Sequence, residues 1–223
     1  MRYYLLLFTA LFIFSCGKEK VIQLPEISHS DISEINDVSA AYLFYDETKK
    51  DSVELNRKNL ISTTNWLVNV DKRLTLKQAI PHIQFLQEKK KNSSHKNKDA
   101  KNYYTCNDTS KKKLGFIEFT NVIYREDELT PKQNFYDQYI CITAFSSDSL
   151  NLSFTTTKTN TFNMFHKKNL LKGIKSNLIN NGSAIVYLIL DKNLKFQDYI
   201  SLKAQISNLN TKQIQIDNNE FIY

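Results

Sequence analysis

The sequence predicts an α+β fold: small mixed sheets packed by amphipathic helices, with the C-terminal half running β-β-α-β-α-β and a degenerate duplication of that plan in the N-terminal half. Three observations carry this expectation. Short β-prone runs alternate along the chain with stretches of helical period, a mixed pattern rather than an all-α or all-β one. Of the 223 residues, 41% are hydrophobic, with 14 Phe and 12 Tyr, which is ample for a packed core. Finally, "WLVNVDKRLTLKQ" at Trp66–Gln78 echoes "YLILDKNLKFQDY" at Tyr187–Tyr199, as two copies of one strand-turn-helix unit would.

In chain order, Ala40–Asp46 ("AAYLFYD") is a strand by its aromatic and apolar run, and "SVELNRKNLI" reads as a helix or a second strand. Trp66–Val70 is β-prone and ends at the turn signal Asp71-Lys72. Leu76, Ala79, Ile80, Ile83 and Leu86 then recur at three and four, one face of a helix. Thr75 and Gln78 have capping-box spacing at its start, while Pro81 either kinks the helix or marks a start near Ile80. A Lys/Asn/Ser stretch ending near Asn102 reads as a loop. Leu114–Tyr124 and Tyr139–Phe145 are strand-like, and "LNLSFTTTKTNTF" alternates over one long run. Leu170, Leu171, Ile174 and Leu178 line a helix expected to stop at Asn181-Gly182. Ala184–Leu190, continuously apolar, predicts a strand buried on both faces. Tyr199, Leu202, Ile206 and Leu209 mark another helix, and Ile214 and Ile216 a last strand. The tail "QIQIDNNEFIY" offers Asn218-Asn219 as a tight turn; its end either packs on the core or forms an edge for another chain.

The turn motif Asp191-Lys192, followed by Phe196 just before a helix, together with the element order from Tyr139, resembles the periplasmic domain of the ExbD/TolR biopolymer-transport family. The resemblance implies an envelope-facing interaction module. Asp71 and Lys72 occupy the equivalent turn of the N-terminal half. The membrane helix in which that family carries its working Asp has no counterpart here, so energy coupling is not implied.

The N-terminus fixes an expected address. Arg2 precedes an unbroken apolar run, Tyr3–Phe14, too short to span a bilayer comfortably and ending at a small residue, as a secretory signal does. "IFSCG" resembles the lipobox of bacterial lipoproteins, which implies cleavage after residue 15, acylation of Cys16 and a membrane partner through the lipid anchor. Gly17, where an Asp would retain such proteins at the inner membrane, favours the outer membrane. The expected layout is a signal peptide at 1–15, a tether at 16–38, an N-terminal module at 39–124 and a C-terminal ExbD/TolR-like module at 139–223. An exported chain permits a disulfide between Cys106 and Cys141; two separate thiols are the equal alternative.

Composition and motifs narrow the chemistry. With four Gly in the chain, neither a G-x-G-x-x-G nor a G-x-x-x-x-G-K-[ST] phosphate loop is present. Net charge is +7, but 26 of the 30 basic residues are Lys, and nine of them fall between Gln87 and Lys113 against three acidic residues. A nucleic-acid surface would spread its charge along a groove and use Arg for bidentate contacts, so no nucleic-acid partner is expected. The stretch reads as a solvated loop, with attraction to anionic headgroups as the alternative. His29, His82, His95 and His166 have no metal-ligand spacing, and Glu126, Asp127 and Glu128 read as a solvated turn, so neither metal nor cofactor is expected. The expectation is a non-catalytic cell-envelope lipoprotein acting on an unidentified envelope protein. The alternative is an envelope hydrolase or ligand-binding lipoprotein whose site is assembled from distant loops.

Overall fold

Each half is organised by one apolar strand that feeds a helix. In the first half this is Asn65–Val70 (β4), which leads through Asp71–Leu74 into the helix Leu76–Lys91 (α1). Thr75 caps that helix as a capping box: its hydroxyl accepts from the Gln78 amide at 3.3 Å, and its own amide donates to the Gln78 side chain at 2.8 Å. Pro81 lies inside the helix, which runs on through it. In the second half, Ala184–Leu190 (β11) leads through Asp191–Leu194 into Phe196–Ile206 (α3). The computed structural model describes residues 20–129, 136–145, 149–156, 160–166, 169–178, 182–209, 211 and 213–223.

Around these two units stand two six-stranded mixed sheets. The strands of the first are Glu26–Ile27 (β1), Val38–Tyr45 (β2), Val53–Asn56 (β3), β4, Asn102–Asp108 (β5) and Lys113–Glu118 (β6), in the order β1-β5-β4-β2-β3, with β6 also paired to β5. The second contains Ile123–Arg125 (β7), Gln138–Ala144 (β8), Ser149–Thr156 (β9), Asn160–His166 (β10), β11 and Ile214–Ile222 (β12), in the order β10-β9-β8-β11-β12-β7. The short helix Leu170–Ser176 (α2) precedes β11.

The runs β3-β2-β4-β5 and β9-β8-β11-β12 correspond strand for strand. In each, the hairpin strand is antiparallel and the next two pairings are parallel. Each run is also closed by a parallel strand that precedes its unit in sequence, β1 on β5 and β7 on β12. The two copies dock turn to turn. The Leu76 amide donates to the Leu194 carbonyl at 2.9 Å, and the Phe196 amide donates to the Leu74 carbonyl at 2.7 Å. Lys77 donates to the Lys192 carbonyl at 2.7 Å and Gln197 to the Lys72 carbonyl at 3.2 Å, while Thr75 and Lys195 face each other as an antiparallel bridge. Every one of these groups is matched by its counterpart 120 positions along the chain (76 with 196, 77 with 197). First-turn amides of a helix have no partner within it, and here each helix borrows carbonyls from the other unit's turn. A single apolar cluster runs through both halves, from Ile27 to Ile214.

Several expectations are corrected. The stretch expected as a tether is fastened from residue 20 onward. Gln23 accepts from the Lys72 amide in the turn after β4, Pro25 from Asn107 on β5 and Ile27 from Thr109 just past it. The N-terminal module does not end at Tyr124. Residues 119–122 turn out of the first sheet and β7 joins the second, so the expected strand Leu114–Tyr124 is split. The long alternating run folds back as β9 and β10, giving the C-terminal half one strand more than expected. α2 ends at Ser176, earlier than Asn181-Gly182. Asn218-Asn219 makes no tight turn: β12 continues past an irregularity opposite Val186/Leu188 and lies inside the sheet, so the tail packs on the core. Cys106 on β5 and Cys141 on β8 sit in different sheets as free thiols, and burial pushes Cys106 up to about 12. Cys16 lies outside the described residues.

The segment before β2 is zipped onto β6 tightly enough to require glycine at one position. The Ser30 amide donates to Asp108 at 2.9 Å and its hydroxyl to the Phe116 carbonyl at 3.0 Å. A Cβ on Gly115 would lie 2.6 Å from that of Ser30. Gly115→Ala is therefore expected to lose about 1–3 kcal/mol in urea unfolding, as overpacking does.

Candidate functional site

One flank of α1, beside its buried face, carries Gln84, Gln87, Glu88 and Lys91, spaced three and four apart and so stacked in one stripe. Gln87 Nε2 donates to the Val122 carbonyl at 2.9 Å, and Gln84 Nε2 to the Tyr124 carbonyl at 3.3 Å. These bonds hold the link between the two sheets against the helix. Between this link, the stripe and the basic loop that follows α1 lies an open groove of about 1000 Å³. Its charged lining is Lys90, Lys91, Lys96 and Lys98 with Glu88. Ile123, 51% exposed, adds an apolar wall from the second sheet.

Lys90 anchors the wall. Its ammonium donates to the Lys101 carbonyl at 2.9 Å and to Asn102 Oδ1 at 3.0 Å, and lies 5.2 Å from the centre of the Trp66 ring. Burial lowers its pKa from 10.5 to about 8. Between about pH 8 and the usual lysine value of 10.5 the unfolded chain therefore holds up to one more proton than the folded one, so stability rises with pH in that window. The buried Cys106 thiol, shifted upward, opposes this above about pH 9. Because Lys90 is only half-buried, the gain is small. Between about pH 7.5 and about pH 9 the unfolding free energy of the wild type, measured against Lys90→Met, is expected to rise by less than about 1 kcal/mol.

The repeated turns serve structure. Asp71 is fully buried and is held by Arg73, whose Nε and Nη2 each bond it at 2.8 Å, and by the Gln23 amide at 3.1 Å. Burial works against its ionisation, but Arg73 and these amides outweigh it and keep the carboxyl below its usual value. Asp191 accepts from the Asn193 amide at 2.7 Å, the Asx turn its counterpart makes with Arg73. Lys72 pairs with Glu26 at 2.7 Å, and the Lys192 amide donates to the Tyr223 carbonyl at 3.0 Å.

The structure also gathers a set of side chains that sequence spacing concealed. Ser110 Oγ lies 3.5 Å from His29 Nδ1, and His29 Nε2 lies 3.4 Å from Asp31. The order serine–imidazole–carboxylate is that of an acyl-transfer triad. The Ser110 hydroxyl, however, donates at 2.7 Å to Asp108 rather than to His29. Burial works against ionisation of Asp108, yet this bond and the amides of Lys111, Ser30 and Ser110 hold its carboxyl well below the usual range. His82 and His95 lie apart from this set. Asp127 is taken up by Arg125 at 2.8 Å. Among the described residues there is no group of three or more His, Cys, Asp or Glu able to hold a metal ion, and no helix long and apolar enough to cross a membrane.

Sequence reasoning found the lysines but not the groove, whose other walls come from the link at 119–124. Comparison with protein-family models, with curated proteins and with solved structures finds no match to this chain.

Proposed function

We propose that this chain is a non-catalytic cell-envelope lipoprotein, held at the outer membrane by acyl chains on Cys16, that acts through protein-protein contact. The observation that carries the reading is the open groove where the two units meet: a lysine-rimmed trough with an exposed isoleucine on one wall is suited to engaging another chain. The lipobox-like "IFSCG" supports the address. The Asp-Lys turn into a helix supports a role beside an ExbD/TolR-type envelope system. The test is mild detergent extraction of the envelope followed by pull-down on the full chain. A stoichiometric protein partner is expected; recovery of none contradicts the reading.

The Ser110–His29–Asp31 set favours a second reading, an envelope hydrolase. In that case Ser110 would be labelled by a fluorophosphonate, and Ser110→Ala would abolish labelling. An unlabelled wild type removes this reading.

A further inference from the structure

The groove on α1 has a charge and a shape, and together they limit its occupant. Lys91, Lys96 and Lys98 rim it, and Glu88 is the one acidic residue in its lining. Lys90 is already engaged with Lys101 and Asn102, so it stiffens the wall and leaves the rim lysines to meet a ligand. Opposite the rim, Val122 and Ile123 offer apolar surface. A bilayer is flat on this scale and would touch the rim alone, leaving that apolar wall unused. A nucleic-acid backbone would likewise have nothing to place on it. An extended polypeptide alternates its side chains, so one set can meet the lysines while the other covers Val122 and Ile123.

The geometry points to this groove as the docking site for an extended acidic segment of an envelope protein, its carboxylates held by Lys91, Lys96 and Lys98 and an apolar side chain lying on Ile123. The assignment rests on the protein-contact reading above and names the chemistry of the partner. The rim lysines are exposed, so their contribution is screened by salt and appears mainly in the association rate.

The test uses the full chain in neutral detergent and a fluorescent peptide alternating Glu and Leu. Binding is expected, weakening as salt is raised, and the triple variant Lys91→Glu/Lys96→Glu/Lys98→Glu is expected to bind about tenfold or more weakly. Lys112→Glu/Lys113→Glu reverses two charges outside the groove and is expected to bind as the wild type does. Ile123→Asp, a single exposed change, should also weaken binding and stands in if the triple variant unfolds. No binding of the acidic peptide, an equal loss in both charge-reversal variants, or preferential binding of phosphatidylglycerol micelles would overturn the assignment. If the triple variant still captures the same envelope partner as the wild type, the groove is wrong while the protein-contact reading stands. Absence of any captured partner contradicts that reading itself.

Discussion

Lys203→Met is expected to cost the fold about 3–5 kcal/mol, because it breaks a buried ion pair and leaves one partner behind. Lys203 on α3 is 12% exposed and pairs with Glu220 on β12, which is 1% exposed. The Tyr199 hydroxyl donates to the same carboxylate at 2.8 Å, and Tyr199 in turn lies 3.2 Å from the Tyr124 hydroxyl, which meets Tyr104. Removing the ammonium strands a carboxylate among buried aromatic rings. Removing both partners does not, so Lys203→Met/Glu220→Gln should recover much of the loss. Urea unfolding of the single and double variants measures both. A single-variant loss under about 1 kcal/mol would mean that the pair is solvated after all.

Tyr104→Ala should cost a similar amount, about 3–5 kcal/mol, for a different reason. The ring is fully buried on β5, stacks on Phe119 at 3.9 Å between centres, and meets Phe196 edge-on at 5.2 Å. It therefore joins the first sheet to the helix of the second unit, and truncation opens a cavity at that junction. Tyr104→Phe keeps the packing and removes one hydroxyl, leaving Tyr124 bonded to Tyr199, so a loss of only about 1 kcal/mol is expected. Burial raises the pKa of Tyr104, Tyr124 and Tyr199 alike. In a spectrophotometric titration these three should stay protonated past pH 10 until the protein unfolds.

Where local chemistry settles an element, the sequence was readable. Apolar or β-prone runs announced β2, β4 and β11, and the Thr75/Gln78 pair announced the start of α1 through a bond that forms as spaced. The echo of Asp71-Lys72 in Asp191-Lys192 falls on two turns whose segments, residues 72–77 and 192–197, bond each other reciprocally. What failed depended on partners distant in sequence. β5 ("NYYTCND") is nearly all buried, yet it mixes aromatic, polar and thiol side chains without a period and follows a lysine-rich loop. β1 and β7 are two or three residues long and exist because β5 and β12 offer unpaired backbone. β9 and β10 read as one strand because the alternating run "LNLSFTTTKTNTF" contains no Gly or Pro. The groove failed for the same reason: its lysines were legible as charge, but its opposite wall belongs to a link that crosses from one sheet to the other.

Everything functional here depends on the two units being one body, with the groove fixed between them. Native-state hydrogen exchange at the amides of Leu76, Lys77, Phe196 and Gln197 tests this most directly, because all four bond across the junction. The expected result is protection equal to the global unfolding free energy at all four, with a single denaturation transition. Exchange at these amides well below that free energy, or separate transitions for the two halves, would show that the units come apart and would remove the groove with them.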